Sequence, residues 1–206
     1  MTELDLKTST TRPAQPGVSG GWRTPDRLYR LISSPVLRMI LGWDLPRHDL
    51  RVINRRPGTV CLEVGSGGGF YTTALKTHLG NENTLIALDP SPSAMRSLQQ
   101  RLDGVPGAGT SFLAGDGCKL PLADDQADTL FYGYSLEEMP DPLAAIREAH
   151  RVLRPGGELV LFLWRPVFTR HRRRPVVALL DELLERRRAS AGPQNIRLIY
   201  RKLDSC

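Results

Sequence analysis

Val60-Cys61-Leu62-Glu63-Val64-Gly65-Ser66-Gly67-Gly68-Gly69-Phe70-Tyr71-Thr72-Thr73-Ala74-Leu75 is the stretch that decides the fold of this chain. A short, mainly apolar run with strand character enters a loop of four glycines and one serine, and the loop enters a helical pattern. A strand, a glycine loop and a helix start form the general architecture of a nucleotide site. Glycine lets the backbone turn tightly and approach a ligand with no Cβ in the way. Amides of the loop and the first helical turn can then donate to a carboxylate or a phosphate.

Working outward, short apolar runs alternate with helical patterns from Thr59 onward, as βαβ units building a parallel sheet do. Strands are predicted at about 59–64, 84–88, 110–114, 127–133 and 157–164, with helices at about 69–79, 91–103 and 141–153. The fourth and fifth strands are nearly continuous apolar runs, which fits strands covered on both faces. Arg154-Pro155-Gly156-Gly157 reads as the turn into the fifth strand. Upstream, residues 1–23 are rich in Thr, Ser, Pro and Gly and read as a flexible arm. Residues 24–56 read as short helices, opened by Thr24-Pro25-Asp26 and interrupted at Pro35, that could pack on the domain, lid a pocket or lie on a membrane surface. Residues 57–206 would be the main domain, an α/β three-layer αβα unit with a parallel sheet.

Spacing decides what the loop would hold. A dinucleotide fingerprint needs glycine at position 70 after Gly65 and Gly67, and Phe70 stands there. The pattern present is GxGxG, with Glu63 two residues before it. S-adenosylmethionine has no pyrophosphate to seat; its amino-acid end offers a carboxylate to loop amides and an ammonium to an acidic wall, which Glu63 supplies. The second strand ends in Asp89-Pro90-Ser91, where a carboxylate can accept both ribose hydroxyls. The third ends in Gly115-Asp116-Gly117-Cys118, where an acid can accept the exocyclic adenine amine and a neighbouring amide can serve a ring nitrogen. Asp89 also reads as a helix cap and Asp116 as a turn former.

Together these residues resemble the class I S-adenosylmethionine-dependent methyltransferases, especially the branch of ubiquinone/menaquinone-biosynthesis and related small-molecule or lipid enzymes. The resemblance rests on Leu62 to Gly69, Ala87-Leu88-Asp89-Pro90-Ser91, Gly115-Asp116-Gly117 with Leu120-Pro121-Leu122, and Arg151-Val152-Leu153-Arg154-Pro155-Gly156-Gly157, and covers about residues 57–164. It implies a Rossmann-like fold and cofactor contacts from Glu63, Gly65, Ser66, Gly67, Gly69, Asp89, Pro90, Asp116, Gly117 and Cys118. Many relatives carry histidine after the fourth strand, where this chain reads Tyr134-Ser135-Leu136-Glu137-Glu138. Glu137 and Glu138 are candidates to orient a cationic acceptor or take a proton; as loop acids they also read as solvated. Relatives close the sheet with an antiparallel pair. Here Val176 to Arg188 reads as an amphipathic helix and Ile196 to Tyr200 as one strand, so an abbreviated C-terminal end is expected.

Composition narrows the rest. Hydrophobic content of 40% and charged content of 24% suit a globular domain, and no apolar run approaches membrane-spanning length. A cytoplasmic location, peripheral to a membrane at most, is expected. Three cysteines and four histidines are scattered, without the spacing of a disulfide framework or zinc site. Within the net charge of +6, residues 165–202 carry eleven Arg/Lys against three acids. That block suggests an acidic partner, whether nucleic acid, anionic membrane or anionic substrate. Methyl transfer needs no metal, only an oriented in-line approach in a water-poor pocket. The leading expectation is methyl transfer to a small molecule or lipid. The alternatives are an RNA or protein methyltransferase using the basic segment, and a non-catalytic cofactor-binding partner protein.

Overall fold

The computed structural model describes residues 46–204. A short helix α1 (Pro46–Asp49) and a 3-10 turn (Leu50–Val52) precede β1 (Val60–Val64), α2 (Thr72–Leu79), β2 (Thr84–Asp89), α3 (Pro92–Leu102), β3 (Gly109–Ala114) and β4 (Ala127–Gly133). A second 3-10 turn (Leu136–Glu138) leads to α4 (Pro142–Val152), β5 (Leu153–Trp164), α5 (Arg170–Leu183), β6 (Glu185–Ala191) and β7 (Asn195–Arg201). The predicted arm at 1–23 and most of the helical segment at 24–56 lie outside the described residues.

The strands form one sheet in the order β3-β2-β1-β4-β5-β7-β6. β1 to β5 are parallel, and β7 runs antiparallel to both β5 and β6. Strand order reverses between β1 and β4, so the crevice beyond their carboxyl ends is where such a sheet takes its ligand. Period-two alternation assigns the two faces. Leu62, Val64, Leu130, Tyr132, Leu159 and Leu161 point to one core, shared with α4 and α5. Cys61, Leu85, Phe131, Val160 and Phe162 point to the other, shared with α2 and the N-terminal turn. Helix starts are set locally: Ser91 Oγ accepts the Ala94 amide at 3.2 Å ahead of Pro92, and Asp141 Oδ1 accepts the Leu143 and Ala144 amides at 3.0 Å ahead of Pro142.

The C-terminal end departs from expectation. The helix read over 176–188 occupies Arg170–Leu183, and Glu185–Ala191 forms β6. The sheet is therefore not abbreviated; it has seven strands. β6 is an edge strand exposed at every residue, so it has no apolar alternation to announce it, and its arginines are the charges that keep an edge from recruiting another strand. The turn expected at 154–157 is drawn into β5 as an irregularity, with the β4 register shifting between Ala127 and Thr129 and Gly156 at φ +75°.

Candidate functional site

The glycine loop crosses the carboxyl end of the sheet between β1 and α2. Gly65 takes φ +78°, and a Cβ on it would overlap the Cβ of Ser135, the second residue past β4. Ser135 donates its hydroxyl to the Val64 carbonyl, which pins β1 to the loop after β4 at the switch point. The Gly65 and Ser66 amides both donate to the Leu88 carbonyl, at 2.8 and 3.0 Å, tying the loop to β2. A Cβ on Gly69, at φ +74°, would strike Leu98 and Arg101 of α3, and the Arg101 guanidinium donates to the Gly68 carbonyl.

Asp89 ends β2 beside this loop. Its Oδ2 accepts the Gly67 amide at 2.8 Å and its Oδ1 accepts the Ser91 amide at 3.0 Å. A carboxylate offers about four acceptor positions, so these two bonds fix its plane and leave a lone pair on each oxygen. Ser91, rather than Asp89, caps α3.

Glu63 occupies β1 two residues before the loop and is 3% exposed. Its Oε2 is buried with no hydrogen-bond partner. Burial pushes the carboxyl up to about 7; the Thr72 hydroxyl pulls it back somewhat, and the charge on Asp89 pushes it further up. A buried acid with a vacant acceptor oxygen favours a cation or a donor arriving from the loop side.

After β3, Asp116 Oδ1 accepts the Cys118 amide at 2.8 Å and closes a tight turn with Lys119. Gly117 is buried, and a Cβ there would lie 2.6 Å from Met139 Cε and 2.9 Å from Val64 Cγ1. The Cys118 thiol donates to the Asp141 carbonyl at 3.3 Å, joining this turn to the start of α4. Glu63, Asp89, the glycines and the Asp116 turn thus all meet the same carboxyl edge, with Pro90 beside Asp89. The two acids after β4 divide. Glu138 is exposed, whereas Glu137 is buried and its Oε1 accepts the Trp164 amide at 2.8 Å, bracing the end of β5.

Two residues at this edge were not singled out in the sequence. Ser135 is one. Tyr134 is the other: it adopts φ +62°, a strained conformation for a residue with a side chain, immediately past β4. Its ring lies 6.2 Å from those of Tyr71 and Phe162 in a cluster that includes Phe131. The signal available was position alone, since both follow the strand that faces β1 across the switch point.

Parallel β1 to β5 with antiparallel β7 tucked inside the edge, and a glycine loop flanked by acids on three strand ends, define a Rossmann-like methyltransferase fold. Residues 62–161 match the family described as "Methyltransferase domain". The chain is 31% identical over 135 residues to a demethylmenaquinone methyltransferase of Staphylococcus epidermidis, covering 66% of this chain and 53% of that protein. It is 26% identical over 114 residues to one of Bacillus cereus, covering 55% of this chain and 48% of that protein. The chain thus spans about half the length of these relatives. Among solved structures, a SAM-dependent methyltransferase from Aquifex aeolicus superposes with a TM-score of 0.74 at 20% identity, covering 88% of this chain and all of that one. Residues 62–161 thus match a methyltransferase domain, and the sheet shares the fold of a solved SAM-dependent methyltransferase.

Proposed function

We propose that this chain binds S-adenosylmethionine across the carboxyl ends of β1, β2 and β3 and transfers its methyl group to a small, apolar acceptor. The observation that carries the reading is the buried Oε2 of Glu63, which has no hydrogen-bond partner, on β1 at the entry to the glycine loop. An amino-acid end fits there with its ammonium on Glu63; the amides of Gly65, Ser66, Gly67 and Gly69 already donate to Leu88, Asp89 and Ser66, which leaves the Gly68 amide for its carboxylate. In this reading Asp89 receives the ribose hydroxyls through its two remaining lone pairs, and Asp116, Gly117 and Cys118 border the adenine. Bound there, the cofactor supplies a methyl group on a positively charged sulfur, ready for displacement by an electron pair on the acceptor.

The remaining work falls to orientation and exclusion of water. Ser135 and Gly65 hold the β1 and β4 ends in close contact. Tyr134 presents its strained backbone and half-buried ring at the same edge, where it would form a wall of the acceptor site. Glu137 braces the end of β5. A small-molecule acceptor is supported by the demethylmenaquinone methyltransferases to which the chain is similar. Among the described residues no helix is long and apolar enough to cross a membrane.

Calorimetric titration with S-adenosylmethionine, S-adenosylhomocysteine and NAD tests the cofactor reading. Binding of the first two and not NAD is expected, with Asp89→Ala weakening it by roughly 10- to 100-fold, the scale of a lost charge-assisted hydrogen bond. NAD binding in their place would overturn the reading.

A further inference from the structure

The basic segment is not electrostatically uniform once folded. On β6, β7 and beyond, four of the six cations have carboxylate partners: Arg186 with Asp181, Arg187 with Glu185, Arg197 with Asp49 and Lys202 with Asp125. At the other end, Arg165, Arg170, Arg172, Arg173 and Arg174 have no carboxylate within ion-pair distance among the described residues. Arg165 follows β5 and the other four occupy the first turns of α5, so all five gather at the carboxyl edge that carries the glycine loop. They are held by carbonyls: Arg165 donates to Gly192, Arg172 to Val167 and Glu137, and Arg173 to Phe168. Arg165 and Arg170 both depress the Arg173 pKa, after the larger effect of its burial.

This grouping is unfavourable on its own. Cations at a helix N-terminus oppose the helix dipole, and α5 has neither an acid in its first turn nor a side-chain cap bond. An anionic surface laid over the edge would relieve both penalties. Beside the arginines, the start of α4 and the first half of α5 leave a groove lined by Met139, Pro140, Leu143, Phe168, Pro175 and Val176. Asp141 also lines it, with its carboxylate engaged by α4 amides. Five clustered guanidiniums next to an aliphatic and proline groove match an amphiphile better than a nucleic acid, whose bases call for exposed stacking rings; Phe168 is 1% exposed.

We propose that this edge docks on an anionic phospholipid bilayer, with Arg165, Arg170, Arg173 and Arg174 over the headgroups and the α4–α5 groove receiving a lipid chain. The inference rests on the apolar-acceptor reading, since it brings the site to a phase where such acceptors dissolve. Its test needs no turnover.

The full chain is sedimented with vesicles of phosphatidylcholine alone or mixed with phosphatidylglycerol, over a range of salt. Binding to the mixed vesicles only, falling with salt, is expected. Arg165→Gln/Arg170→Gln/Arg174→Gln should weaken it on the order of 100-fold. Arg187→Gln/Arg188→Gln, on β6, should leave it within a factor of about three. Leu143→Ser should weaken binding without altering its salt dependence. Equal loss in the β6 variant, binding to phosphatidylcholine alone, or displacement from the mixed vesicles by single-stranded RNA would overturn the docking, and an unaffected Leu143→Ser would overturn the role of the groove. Thermal melting checks that each variant folds, and S-adenosylmethionine calorimetry on the same samples separates failure of docking from failure of the cofactor reading.

Discussion

Glu63 is held with its proton where a free glutamic acid would have lost it. The unfolded chain releases that proton near pH 4.5 and the folded chain near 7. Its contribution to stability is therefore full below about 4.5 and is lost as pH rises through about 7, a swing on the order of 3 kcal/mol. Urea unfolding of the ligand-free chain should show that decline, and Glu63→Gln should flatten it. Affinity for S-adenosylmethionine should move the opposite way, rising toward pH 7 in the native chain and staying level in Glu63→Gln, because an ammonium favours the ionised carboxylate. Gly65 raises a steric question instead. Gly65→Ala adds a Cβ into Ser135 at a positive φ, and we expect a loss of roughly 2–4 kcal/mol. Ser135→Gly in the same chain should restore the steric part and leave about 1–2 kcal/mol of backbone strain, measured by denaturant titration. Glu63, Gly65 and Asp89 were legible in the sequence because residue type and spacing carry their chemistry. Ser135 and Tyr134 were not, since what marks them is a contact with a residue 71 positions away in one case and a backbone angle in the other.

At the scale of elements, β1 to β5 could be read because each is apolar on the faces it buries. β6 could not, since Glu185-Arg186-Arg187-Arg188 at an exposed edge looks like the polar end of a helix. What holds it is pairing with β7 and a tie back to α5, where the Tyr200 hydroxyl donates to Asp181 at 2.8 Å and Arg186 pairs with the same carboxylate. β7 also secures the N-terminal turn: Arg197 lies 2.8 Å from Asp49, which is 4% exposed, and its guanidinium stacks 5.0 Å from the Phe162 ring centre. Arg197→Ala removes the cation opposite a buried carboxylate and should cost roughly 3 kcal/mol. Arg197→Lys, which keeps the charge without the planar fork, should cost less. Guanidinium unfolding of the two variants side by side checks the order.

For the whole molecule, a ligand that binds only the folded chain stabilises it by mass action. S-adenosylmethionine at a hundred times its Kd should add about 2.7 kcal/mol and raise Tm by roughly 5–10 °C. NAD at the same concentration should leave Tm unchanged, a difference that scanning fluorimetry reads directly. The sheet order carries a consequence for how the molecule is made. β7 lies between β5 and β6, so the strand that covers the flank of β5 is synthesised only after α5 and β6. While translation is under way, Leu159, Val160 and Leu161 await Tyr200, Ile199 and Leu198, and β5 presents an apolar strand with open hydrogen-bonding groups. A nascent chain stalled before Asn195 leaves that flank adhesive, and the ribosome and its chaperones must shield it until the β6–β7 hairpin emerges.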